Sequence, residues 1–182
     1  MKQQIKPKKC AICKETFAPQ RPLQKLCSIE CAIKDAKSKQ ELKAKKQANV
    51  EKIAAKKAIM THKDWLNLCQ KVFNTYIRAR DKNKPCICCN LPLTSKYDAG
   101  HFYSVGGNPE LRFNEDNCHA QRVDCNQHKH GNLLDYAENL PKRIGIERFE
   151  ALKASRNKPV KYSISEIEEM ISYYRKKTKE LN

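Results

Sequence analysis

Three short segments hold most of the side chains in this chain that can do chemistry: Tyr97-Asp-Ala-Gly-His-Phe102, Asn114-Glu-Asp-Asn117 and Asp124-Cys-Asn-Gln-His-Lys-His-Gly-Asn132. Hydrolysis of a phosphodiester needs a base that activates water and a cation that offsets charge on the phosphate and the leaving oxygen. His101 suits the first task, because neutral imidazole is abundant near pH 7. Asp98, Asn126 and His130 offer oxygen and nitrogen ligands for a hard divalent ion. Asn126 and His130 are four positions apart, which on a helix puts them on one face. Asp98 must then approach from a strand. Plainer roles compete at each position: a histidine after glycine is often structural, Asn117 alone is a turn residue, and Asp98 can cap or salt-bridge. His119 reads as a residue outside the first ring of ligands.

The ten cysteines make a second pattern. Cys10-Ala-Ile-Cys13 and Cys27-Ser-Ile-Glu-Cys31 are two close pairs joined by a short loop, as a tetrahedral four-thiolate zinc site requires. So short a segment cannot bury enough apolar surface to fold unaided, whereas zinc supplies about 10–16 kcal/mol. Cys86-Ile-Cys-Cys89 is a further knuckle, and Cys69 falls among apolar residues as a small buried one. With 37 Lys and Arg against 20 Asp and Glu, the net charge of +17 calls for a polyanion. Nucleic acid is a commoner one than acidic lipid. Mean hydropathy is −0.81, and no apolar run approaches the roughly 20 residues needed to cross a bilayer. The polar, basic N-terminus does not read as a secretory signal. The expected compartment is therefore the reducing cytoplasm, where close cysteines hold metal more often than disulfides.

The elements that must position these residues fall into three parts of an α+β chain. Residues 1–32 form the N-terminal zinc module. Residues 33–63 are rich in Lys, Ala, Gln and Glu and lack Gly and Pro, which predicts a solvated basic helical arm carrying Lys34, Lys37, Lys43, Lys52 and Lys56. Residues 64–182 form the main domain. Thr61-His-Lys-Asp64 reads as a capping box opening a helix whose Trp65, Leu68, Cys69, Val72, Phe73 and Tyr76 form a buried stripe. Residues 96–105 can form a strand or hairpin carrying His101. From about Cys118 the spacing reads as helical, and two C-terminal helices follow. One covers Ile146 to Ala154, and the other opens with Ser165-Glu-Ile-Glu168.

The three chemical segments resemble the His-Asn-His (ββα-metal) nucleases, with flanking helices added. In that pattern a strand histidine is the base, an asparagine pins the hairpin, and a helix residue completes the metal site. His101, Asn117 and Asn126 match these positions. Asn126 stands where many members have histidine, although the phage endonuclease VII group also uses asparagine. His130 matches a further histidine found in some members. The strings Lys84-Pro-Cys-Ile, Asp98-Ala-Gly-His-Phe102, Leu111-Arg-Phe-Asn-Glu-Asp-Asn117, Cys125-Asn126 and His130-Gly-Asn132 narrow the resemblance to the phage NinG (Rap) recombination nucleases, over most of the chain. That resemblance implies cutting of Holliday junctions and other branched double-stranded DNA with Mg2+ or Mn2+, in the host cytoplasm. A homodimer would follow from the need to nick two strands symmetrically.

One departure stands out. The family pairs its second knuckle, here Cys86 and Cys89, with another Cys-x-x-Cys, but the first of those positions is Arg122, leaving Cys125 alone. Arginine cannot ligate zinc. Cys118 or His128 is then needed as the fourth ligand, with Cys118 the preferred of the two and a weakened or absent zinc the alternative. Cys88 reads as a bystander. Structural Zn2+, one or two per chain, is the expectation. Two other classes compete with the nuclease: a zinc-containing DNA-binding recombination accessory without catalysis, and an RNA-binding zinc protein. Few aromatic residues are interleaved for base stacking, which counts against the RNA reading.

Overall fold

Residues 6–181 are described by the computed structural model, in which the chain divides into two units, Met1–Ile59 and Met60–Asn182. The first unit opens with an antiparallel ribbon of β1 (Lys8–Lys9) and β2 (Thr16–Phe17). Its turn folds on Cys10, whose carbonyl accepts Lys14 N–H at 3.1 Å while Lys14 takes a φ of +67°. Helix α1 (Ile29–Ala58) follows, capped by the Ser28 hydroxyl, which accepts Cys31 N–H at 3.2 Å. The arm thus starts earlier than residue 33, and the last cysteine of the knuckle sits in its first turn. At about 1.5 Å per residue α1 is roughly 45 Å long. Among the described residues Cys31 alone is buried along it. A helix exposed along nearly its whole length, its few apolar residues such as Ile33, Leu42 and Val50 included, leans on propensity and on pairs such as Lys39–Asp35 (2.6 Å), each worth a few tenths of a kcal/mol.

The second unit begins with α2 (His62–Asp81), where the Thr61–Asp64 capping box forms in both directions. Its face of Trp65, Cys69, Phe73, Tyr76 and Ile77 packs on Ile167, Ile171 and Tyr174 of α5 (Ile164–Glu180). The cap of α5 is Ser163 with Glu166, not Ser165 with Glu168 as the sequence suggests. Ser163 has the extended backbone a cap requires, and its hydroxyl accepts Glu166 N–H at 3.2 Å.

Between these helices in sequence lies a hairpin, β3 (Tyr97–His101) paired antiparallel with β4 (Cys118–Arg122), setting Asp98 opposite Gln121 and His101 opposite Cys118. The helical spacing read from Cys118 is therefore wrong. This strand is buried on both faces, so its residues do not alternate in polarity and the period of two is hidden. Ala99 and Cys118 face the α2–α5 cluster. The opposite face meets Cys86, Ile87, Cys88, Leu111 and Cys125, with Tyr136 and Leu140 of α3 (Leu133–Ile144) and Leu152 of α4 (Ile146–Ala154).

A buried charge ties the hairpin to α2. Asp81 is fully buried, takes two hydrogen bonds from Arg80 (2.9 and 2.7 Å), pairs with Lys84 at 3.0 Å and accepts Ala120 N–H at 3.1 Å. Burial alone would raise the Asp81 pKa, but the Arg80 bonds and charge outweigh it and hold the carboxyl far below the usual carboxylate range. Arg80 also reaches the carbonyls of Glu115 and Cys118, so one ion pair spans helix, loop and strand. Among the described residues no helix is long and apolar enough to cross a membrane.

Candidate metal and catalytic site

The loop between β3 and β4 is long and must be held shut. Asn117, buried at its end, does this through its side chain: its oxygen accepts Tyr103 N–H at 2.8 Å, and its amide donates to Tyr103 O at 3.0 Å and Leu111 O at 3.1 Å. Three bonds, to the start and the middle of the loop, spend nearly all the capacity of one amide.

On the α3 side of the hairpin, Asp98 and Asn126 meet. Asp98 Oδ2 accepts Asn126 Nδ2 at 2.9 Å and Gln127 Nε2 at 2.8 Å. Both donors use the same carboxylate oxygen, which leaves Asp98 Oδ1 and Asn126 Oδ1 for a ligand. Two oxygens, one from a carboxylate, suit Mg2+ or Mn2+, which bind oxygen and keep several waters. Asn126 belongs to a π-helical turn, Asp124–His128, rather than an α-helix. The turn ends before His130, which is exposed and has a φ of +49°. The four-residue spacing of Asn126 and His130 consequently does not put them on one helical face, and no contact joins His130 to this oxygen pair among the described residues.

His101 lies on the other face of β3, three positions along from Asp98. Its Nε2 bonds the Arg112 carbonyl at 2.9 Å, its Nδ1 is 3.6 Å from Cys118 Sγ, and its ring sits 6.1 Å from that of Phe73. The expected arrangement, an imidazole facing the cation ligands, is not what the hairpin gives. The reason is strand alternation: residues 98 and 101 differ by an odd number and point to opposite faces. A carbonyl can only accept, so Nε2 carries the hydrogen and Nδ1 keeps its lone pair. Burial lowers the His101 pKa, and the Arg112 carbonyl only partly offsets this, so the ring is neutral at pH 7.

The thiols form two groups. Sγ atoms of Cys10, Cys13, Cys27 and Cys31 all lie within 4.8 Å of one another, as do those of Cys86, Cys89 and Cys125. Cys13–Cys27 and Cys27–Cys31 are 3.5 and 3.6 Å apart, too long for disulfides and close to the spacing around one tetrahedral ion. Both clusters could hold zinc. Cys118 is not in the second cluster: it faces His101 and the α2 side, while Cys125 lies past the strand on the α3 side. His128 is exposed and also outside it. Arg122 turns its guanidinium to Pro92 O (3.2 Å) and Asp124 (3.5 Å), offering the knuckle only its backbone N–H, 3.3 Å from Cys86 Sγ. Cys88 Sγ takes the Gln121 amide at 2.9 Å.

Three participants escape the sequence reading. Gln121 is buried beside Asp98 and would have been found had β4 been read as a strand. Gln127 shares the Asp98 oxygen, and its place next to Asn126 was its only signal. The Arg112 carbonyl has no side-chain signature at all. His119 is buried, its pKa pushed down to about 3 by burial, and bonds Tyr136 Oη at 3.3 Å, which in turn donates to Gly100 O at 3.0 Å. It is a packing residue. Elsewhere, Lys71, Arg175 and Lys179 line a groove between α2 and α5 together with Val72, Thr75 and Thr178.

The sequence model of a family described as Bacteriophage Lambda NinG protein matches residues 2–182. Protein ninG of Escherichia phage lambda is 36% identical, the alignment covering 93% of this chain and 89% of the relative. Protein ninG of Salmonella phage P22 is also 36% identical, with 93% and 90% covered, and that of Escherichia phage 933W is 34% identical, with 96% and 93% covered. No solved structure matches.

Proposed function

Starting from a chain that belongs to the NinG family of bacteriophage proteins, we propose that it is a metal-dependent endonuclease acting on branched DNA in phage recombination. The observation that carries this reading is the Asp98–Asn126 pair at the edge of a hairpin pinned by Asn117, with a neutral imidazole one residue beyond Gly100. Asp98 and Asn126 would hold Mg2+ or Mn2+, which when bound supplies Lewis-acid stabilisation of the phosphate. In-line displacement puts the attacking water and the leaving oxygen on opposite sides of phosphorus. In that geometry base and cation ligands would flank the phosphate rather than face each other, the base coming from the last residue of β3. His101 Nδ1 would take the proton of the attacking water while the Arg112 carbonyl holds the ring in that tautomer. The lysines of α1, and those of the groove between α2 and α5, would contact phosphates. A homodimer would bring two such sites to one junction.

One observation favours a second reading, a DNA-binding recombination accessory without catalysis: both His101 nitrogens have protein partners, Arg112 O and Cys118 Sγ. Cleavage of a synthetic four-way junction decides between the two. The nuclease reading expects Mg2+-dependent nicking by the wild type and a loss of at least about 100-fold in His101→Ala. Tight junction binding without nicking under any divalent ion would establish the accessory reading instead.

A further inference from the structure

Gln121 is fully buried, and the two ends of its amide are in unlike surroundings. Nε2 donates to Gly131 O at 2.6 Å and to Cys88 Sγ at 2.9 Å, which fixes that end as the nitrogen. The other end, Oε1, is buried with no hydrogen-bond partner. A buried amide oxygen left without a partner is destabilising, and a bound cation would satisfy it. It lies where a Cβ on Gly100 would be, 1.8 Å from that point, and Asn126 Oδ1 lies 3.2 Å from the same point. Gln121 is also the direct cross-strand partner of Asp98, so both side chains leave the same face of the hairpin. Glycine at position 100 is what lets the oxygens of residues 121 and 126 close over the strand.

We propose that the Gln121 side-chain oxygen is a third protein ligand for the divalent cation at the Asp98–Asn126 pair. The inference rests on the cation site of the previous section and adds a residue to it. One carboxylate and two amide oxygens from three different segments would leave about three of six octahedral positions for water and a phosphate oxygen. The Cys88 and Gly131 contacts of Nε2 orient the amide, which ties the cation site to the neighbouring thiol knuckle.

The test is Mn2+ titration of the zinc-loaded full chain, following the paramagnetic resonance signal of the free ion. Wild type should bind, and Gln121→Met should bind at least about tenfold more weakly with its zinc content unchanged. Equal affinity in wild type and variant overturns the role of Gln121 while leaving the Asp98–Asn126 site intact. No binding by wild type, or no loss in Asp98→Asn, overturns the cation site and this inference with it. Should Gln121→Met fail to fold, the wild type decides: its Gln121 side-chain amide resonances must move when Mg2+ is added, and a stationary signal refutes the ligand role.

Discussion

The two cysteine knuckles share a backbone and differ in how they are completed. In each, the first cysteine carbonyl accepts the N–H four residues on at 3.1 Å, from Lys14 in one and Asn90 in the other. In each, that residue takes a positive φ, and the first cysteine N–H donates to the carbonyl five residues on. The first knuckle is closed by Cys27 and Cys31, the second by Cys125 alone. What surrounds them explains how the second can stand with three thiols. Around the first, the buried residues are little more than Cys10 and Cys31 themselves, so a bound ion would be most of what folds the module. Around the second, Ile87, Leu111, Tyr136, Leu140 and Leu152 pack directly, and Asp81 clamps the hairpin from behind. An ion there adds to a core that already exists.

The strongest way to break this comparison is to strip the ions. Chelation, or Cys13→Ser, should abolish hydrogen-exchange protection at Lys8–Phe17, consistent with about 10–16 kcal/mol from one structural zinc, while α2 and α5 amides stay protected. Equal loss in both units would show that the second core also depends on metal. Next in size, Asp81→Ala should cost about 3–5 kcal/mol in urea unfolding followed through Trp65, because it leaves Arg80 buried without its partner. A loss below about 1 kcal/mol would mean that the apolar clusters alone hold the hairpin. The smallest effect sharpens the contrast: Arg122→Cys should supply a fourth thiolate and tighten zinc at the second knuckle about tenfold or more in chelator competition, near 1.4 kcal/mol. Unchanged affinity would mean that the position, and not merely its side chain, no longer reaches the ion.

Sequence alone determined what rests on local chemistry. The gathering of Cys10, Cys13, Cys27 and Cys31 into one cluster, the Thr61–Asp64 cap, the apolar stripe of α2 and the extent of α4 are all set by neighbours within a few turns of chain, and each was legible for that reason. Tertiary structure decided everything that depends on which face a strand presents and what packs on it. Spacing along the chain puts Cys118 forward as a zinc ligand and His101 as a partner of Asp98, because spacing does not tell the two sides of a doubly buried hairpin apart. Once Asp98 pairs with Gln121 and His101 with Cys118, alternation sends the oxygens toward α3 and the imidazole toward α2. Gln121 was invisible for the same reason: an amide in a run of buried residues becomes a candidate ligand only when a glycine on the opposite strand lets it close.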